Sequence, residues 1–294
     1  MKKRKLLGQI SVFGSAIIFG FTPVLAAISY RGGNNGINMA FLRALLPIPL
    51  LLWIGRKMPW PRKGQWKRGL FAGCLSFGCM LLLYTSYEHI SPGLATTLHF
   101  LYPMYVAVYE AARAKKRPGK RRVFGLSLAF AGTLLFIERG ESGSFIGLGM
   151  AIGSGIFYAA YIIALGKEAK DPMPIFRLIL LVSLSGVFMC GLLGVAMNKI
   201  TFSISPLAWL CAISVTLFAA VLGSTLFQYG VRVVGEANAA LFSLFEPIVS
   251  VLFSVWLLND TLSVRKIMGS ILILSSLFIT QLPGKRKATV KGKG

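Results

Sequence analysis

Long apolar runs dominate this chain, and they leave it few ways to fold. A helix that crosses a bilayer needs about 20 mostly apolar residues. Ten segments meet or approach that length: Leu6–Ile28, Ile37–Ile54, Gly69–Tyr87, Gly93–Ala111, Val123–Ile137, Ile146–Leu165, Ile175–Ala196, Leu207–Tyr229, Ala237–Leu258 and Ile267–Leu282. The fifth and tenth are short. The connections are short as well, so no soluble domain fits between them. The first run follows Lys2-Lys3-Arg4-Lys5 and imitates a signal peptide, but it exceeds the usual h-region and reads as the first spanning helix.

Charge supports the same reading. Only 14% of residues are charged, against about 25% in soluble domains. The net charge of +23 could point to nucleic acid, but the basic residues sit in short clusters between apolar runs, so no nucleic-acid partner is expected. Counted over alternate loops, Lys and Arg divide 25 to 5, with Arg43 and Arg177 inside helices. That bias places both termini in the cytoplasm and makes the number of spans even. It is strong in the first half and weak in the second, as expected if the second half is turned over.

The halves also match each other. Around the fourth and ninth segments the shift is 144 residues, pairing Ala95 with Ala239, Pro103 with Pro247 and Arg121 with Arg265. Near the second and seventh it is 134, where Met39-Ala-Phe-Leu-Arg43 meets Met173-Pro-Ile-Phe-Arg177. Five helices per half is an odd number, so two copies must be inverted, as in many secondary transporters. The expected organisation is an all-α integral membrane protein of ten transmembrane helices, with residues 1–140 as one five-helix repeat, 141–284 as the other and 285–294 as a basic cytoplasmic tail.

The chain resembles the EamA-type members of the drug/metabolite transporter superfamily over nearly its whole length. The resemblance rests on Phe19-Gly20-Phe21-Thr22-Pro23, on Arg43, on the stretch Tyr84 to Pro103, and on Leu244-Phe-Glu246-Pro247 followed by Asn259-Asp260 and Gly269. Asp260 stands where the family usually has Glu, and its first-half counterpart is Lys116, so no acid is kept there. The resemblance implies a carrier of amino acids, other metabolites or drug-like compounds, with export the expected direction, in the cytoplasmic membrane.

Charged and polar groups inside such helices are candidates for function, because charge at mid-bilayer costs at least about 2.5–3.5 kcal/mol. Glu246 is the sharpest. Ser243, Glu246, Ser250 and Ser254 share one helical face, which should line water or protein. Glu246 is therefore expected to contact solute or a coupling proton, with a purely structural acid as the alternative. Pro103 and Pro247 should kink their helices and free the carbonyls of His99 and Ser243. His99 and Tyr102 then reach the same cavity from the other half, unless they only bond neighbouring helices. Arg43 and Arg177 would each serve one gate, pairing with an acid or a helix C-terminus, or else reach to head groups. Tyr84, Tyr158, Gln228, Ser154 and Ser224 are weaker lining candidates. Gly69/Gly73 and Gly149/Gly153 suggest close helix packing. Glu88, Glu138 and Glu236 should be solvated at helix ends, and Glu110 should pair locally beside Arg113 and Lys115.

Chemistry of other kinds has little support. Cys74, Cys79, Cys190 and Cys211 lack CxxC spacing, and His89 and His99 form no metal motif, so no metal or cofactor is expected. No Walker pattern occurs, so a gradient must supply the energy. The rivals are a membrane enzyme acting on lipid-linked substrates, which needs more acids and histidines than the chain has, and a channel or sensor.

Overall fold

The computed structural model describes residues 2–86, 89–90, 92–115, 119–135, 144–258 and 263–281. They form α-helices joined by turns, with no strand among the described residues. In chain order these are α1 (Lys2–Arg31), α2 (Gly36–Leu45), α3 (Pro47–Gly55), α4 (Lys63–Ser86), α5 (Pro92–His99), α6 (Tyr102–Ala114) and α7 (Lys120–Leu134). There follow α8 (Phe145–Glu168), α9 (Ile175–Ala196), α10 (Pro206–Ser214), α11 (Ser224–Val234), α12 (Glu236–Phe242), α13 (Glu246–Leu258) and α14 (Val264–Gln281). A π-helical stretch, Val215–Gly223, joins α10 to α11, and one 3-10 turn, Ser243–Phe245, joins α12 to α13.

Local chemistry sets many of these boundaries. The side chains of Asn35, Ser144 and Ser205 accept from backbone N–H groups and cap the starts of α2, α8 and α10. Gly235, at φ 83, sits between α11 and α12, where a side chain would be strained. Two of the proline-bearing segments, the fourth and the ninth, break where their backbone bonds are lost, whereas α1 runs on through Pro23. The fourth expected span divides at Phe100 and Leu101, just before Tyr102-Pro103, and the ninth divides at Ser243–Phe245, just before Glu246-Pro247.

Seven described helical segments are long and apolar enough to cross a bilayer: Lys3–Arg31, Gly36–Gly55, Lys63–Ser86, Phe145–Glu168, Ile175–Ala196, Pro206–Val234 and Glu236–Leu257. The other three expected spans fall short of that measure. The break at 100–101 interrupts the fourth. Helix α7, at 15 residues, reaches about 22 Å against a hydrocarbon core of about 30 Å, and α14 has 18 residues. Large apolar side chains such as Phe145, Phe188, Trp256 and Phe278 point outward. Polar ones, including Ser15, Asn38, Ser154, Gln228 and Ser243, are buried. This reversal of the water-soluble pattern belongs to a multi-pass membrane protein.

Most of the packing joins the part before residue 135 to the part after 144. Helix α4 lies against α8 and α9, α1 against α10, α11 and α13, α2 against α9, α7 against α14, and α6 against α8 and α12. Small residues set several of these crossings. A Cβ on Gly132 would meet the Gly269 carbonyl oxygen at 2.8 Å, and one on Gly269 would meet that of Gly132 at 2.6 Å. Gly69 and Gly73 pack on Leu181, Val182 and Ser185 of α9, as their spacing suggests. Gly149 and Gly153 do not repeat this: nothing lies within 4 Å of Gly149, and Gly153 meets only Leu82, at 3.5 Å. With 32 glycines in the chain, spacing alone could not separate the two pairs.

Candidate functional site

Around the breaks before Pro103 and Pro247, α6 packs against α8 and α12, and α13 against α1. Tyr102 and Tyr158 meet edge to face with ring centroids 4.7 Å apart, and His99 stands 5.5 and 5.2 Å from them. His99 Nδ1 lies 3.1 Å from Ser154 Oγ, whose proton goes to the Ala151 carbonyl at 2.6 Å. The network therefore assigns the Nδ1–H as donor and leaves Nε2 an acceptor. Glu246 and Tyr102 both lie beside the Ser243 hydroxyl, which donates to the Ala239 carbonyl at 3.2 Å. Glu246 Oε1 and the Tyr102 hydroxyl are buried with no hydrogen-bond partner. Ser250, one turn on, is half-buried. The carbonyl of His99 rests against Gly155 of α8, and that of Glu246 against Gly20 of α1, where an added Cβ would stand 2.8 and 2.6 Å away. The Gly in Phe19-Gly20-Phe21 thus admits the broken helix to close range.

Arg43, Ser224 and Gln228 gather around a second feature, a cavity of about 20 Å³, room for one water-sized molecule. Arg43, Ser76, Tyr161, Ser183, Ser224 and Gln228 supply its polar lining, and Phe77, Met80 and Val182 part of its apolar wall. Arg43 is thus in the interior, with its guanidinium 5.9 Å from the Phe19 ring centroid and beside the Tyr84 phenol. Among the described residues no carboxylate is ion-paired with it, although Glu246 lies within its electrostatic reach. Gln228, 1% exposed, donates to the Tyr161 hydroxyl at 3.5 Å while its Oε1 has no partner. Tyr158 and Tyr161, ring centroids 6.0 Å apart, connect this cavity to the Glu246 cluster.

Both ends of this interior are bridged. At one end Asn38 donates to Asn34 Oδ1 and to the Thr201 carbonyl, both at 2.8 Å, and accepts from the Thr201 N–H at 3.2 Å. Asn35 donates to the Lys199 carbonyl at 2.8 Å, and the Ser205 N–H to that of Gly32 at 2.9 Å. At the other end Arg62 and Arg68 both pair with Asp171. Glu168, 3% exposed, binds Arg232 at 2.9 Å and accepts from the Met173 N–H at 2.8 Å. Arg177 belongs here. It is buried, donates to the carbonyls of Gly55 and Met58 at 2.8 and 3.1 Å, and lies 3.7 Å from the Trp60 ring centroid. It turns into the protein and caps the C-terminus of α3, so the head-group alternative does not hold.

Several local expectations change. Glu110 pairs with Arg122 at 2.9 Å instead of Arg113 or Lys115, because α7 returns beside the end of α6. Glu236 is not solvated. It is 15% exposed, pressed against Gly166, and pairs with Arg113 at 3.5 Å. Lys116, Glu88, Glu138, Asn259, Asp260, residues 282–294 and the side chain of Ser254 lie outside the described residues. Sequence reasoning passed over Tyr161, Ser76 and Ser183 at the cavity and Asn34, Asn38, Glu168 and Asp171 at the ends. Tyr161 follows Tyr158 by three residues on α8, a same-face spacing that could have found it.

Comparison with known proteins agrees with this arrangement. An uncharacterized transporter of Synechocystis sp. is 24% identical, with 92% of each chain covered. Uncharacterized transporters of Bacillus subtilis and Archaeoglobus fulgidus are 22% and 23% identical over 90% and 92% of this chain. A solved crystal structure matches the fold with a TM-score of 0.79 at 16% identity, covering 96% of this chain and 97% of that one. The model of the EamA-like transporter family matches residues 6–137 and 145–282. This chain, a multi-pass membrane transporter, belongs to the EamA-like transporter family.

Proposed function

We propose that the protein is a secondary carrier that moves small organic solutes across the cytoplasmic membrane by alternating access, with export as its direction. The observation that carries this reading is the polar interior of Arg43, Gln228, Tyr161, Tyr102, His99 and Glu246, bridged at both ends, where the described residues around Arg43 and Gln228 line a cavity of about 20 Å³. Separation of one end would widen this cavity for a solute larger than water, and a pore open throughout would need neither bridge.

Two inverted five-helix repeats, ten spans and cytoplasmic termini complete the reading. Two matched stretches of the family model support it, as does the way helix contacts exchange when the halves are swapped. The contact of α1 with α13 becomes that of α8 with α6, α4 with α8 becomes α11 with α1, and α2 with α9 and α7 with α14 map onto themselves. On this reading Glu246, Ser243, Ser250, His99, Tyr102, Tyr84, Tyr158 and Gln228 line the solute path, and Pro103 and Pro247 keep it flexible. Arg177 holds the basic end shut. Relatives named as transporters favour a carrier over an enzyme.

Purified protein in proteoliposomes tests this. Uptake of labelled metabolites should saturate, and it should respond to an imposed pH gradient if Glu246 carries the coupling proton. Glu246→Gln should then lose that response. Ohmic, non-saturating current would replace the carrier with a channel.

A further inference from the structure

Arg43 and Arg177 occupy matching positions in the repeat, but their surroundings differ. Arg177 donates to the carbonyls of Gly55, at the end of α3, and Met58, just beyond it, and stacks on an indole, while its buried Nε has no partner. Arg43 lies over the Phe19 ring, 5.9 Å from its centroid, and hydrogen-bonds the Tyr84 phenol, with no ion-paired carboxylate among the described residues. A guanidinium stays charged in any protein setting, so burial does not neutralise it. Across the same cavity stands Gln228 Oε1, a buried acceptor with no donor. The hydroxyl-bearing side chains of Ser76, Tyr161, Ser183 and Ser224 complete the rim.

We propose that this cavity, once opened, is the docking point for a carboxylate-bearing solute, with the Arg43 guanidinium taking the anion and Gln228 Oε1 accepting a neighbouring N–H of the same molecule. The proposal deepens the carrier reading and rests on it for its solute. A planar fork of N–H donors matches a carboxylate in two parallel bonds, which an amide or an amine of equal size cannot reproduce. The acceptor beside it favours a nitrogen one or two bonds from the carboxylate over a plain fatty acid. The aromatic cluster of His99, Tyr102 and Tyr158 adjoins through Tyr161 and leaves an apolar wall for the rest of the molecule.

The test uses the full chain purified in detergent. Thermal stabilisation is measured with a panel of free L-amino acids and N-acetyl amino acids, each set against its carboxamide and its decarboxylated amine. At least one carboxylate should raise the unfolding midpoint, and its carboxamide should bind at least about tenfold more weakly. Arg43→Gln should abolish the effect and Arg43→Lys should keep part of it. Gln228→Glu should abolish it too, because the new internal carboxylate occupies Arg43. This last variant decides the matter if Arg43→Gln does not fold. Equal stabilisation by carboxylate and carboxamide, no stabilisation by any member, or binding that survives Gln228→Glu would each overturn the proposal. The carrier reading is scored separately by saturable uptake. Carboxylate binding without flux removes the carrier and keeps the docking point, and saturable flux confined to solutes without a carboxylate does the reverse.

Discussion

At one end of the helix bundle, loops around residues 32–38 and 199–205 meet through neutral amides and backbone groups. At the other, loops around 55–68 and 166–177 meet through Arg62, Arg68, Asp171, Glu168, Arg177 and Arg232. At the shift that pairs Met39–Arg43 with Met173–Arg177, Asn34 corresponds to Glu168. Both residues organise a turn ahead of a helix, Asn34 by accepting from the Asn35 N–H and Glu168 by accepting from that of Met173. One geometry thus has two chemistries. Amide bonds are short-ranged and nearly indifferent to salt, whereas the ionic set responds to charge, screening and protons. In a carrier this would let ionic conditions bias one end without touching the other.

The largest effect should come from breaking the buried part of the ionic end. Glu168→Ala leaves Arg232, 17% exposed, with no acid, and removes the acceptor of the Met173 N–H. Leaving one member of a buried pair alone costs about 3–5 kcal/mol, so a large fall in the detergent unfolding midpoint is expected. Glu168→Gln, which still accepts from Met173, should cost less. A fully tolerated Glu168→Ala would mean that this end is held together by packing alone.

Next is the amide end. Asn38→Leu strands both backbone groups of Thr201, and takes one of two donors from Asn34 Oδ1, in a site where Asn38 is fully buried. The expected cost is about 2 kcal/mol. Its distinguishing mark is constancy: the loss should be the same at low and high salt. A loss that shrinks with added salt would erase the contrast between the ends.

These bridges also show where sequence reading stops. Seven of the ten expected spans were legible because a bilayer forces apolar runs, and Glu246, Pro103 and Pro247 stood out because such residues are costly there. Asn38, in the first turn of α2, and Thr201, in a loop, lie 163 residues apart, and nothing local pairs them until the halves are folded together. Arg43 and Arg177 look alike as letters in matching segments. What separates them is the end of α3 against Arg177 and a small cavity against Arg43, and neither has a local signature. Tyr161 differs from these, since same-face spacing from Tyr158 was available.

The smallest effect, and the finest probe of the contrast, is at Asp171. The hydrogen bond from Arg68 is the main influence holding its carboxyl below the ordinary carboxylate range; its partial desolvation opposes this, and the charges of Arg62 and Arg68 and a contact from Gln65 add to it. A carboxyl with a lowered folded pKa contributes stability at pH values above its unfolded value, near 3.9, and loses it as pH falls through the folded one. The difference between wild type and Asp171→Asn should therefore be constant from about pH 7 to about pH 4 and close below that. Because the pair is exposed, high salt should close it as well. Unfolding midpoints measured across pH at two salt concentrations separate the possibilities. A gap that persists in acid would make Asp171 a steric filler between Arg62 and Arg68, and the ionic end would then rest on Glu168, Arg177 and Arg232 alone.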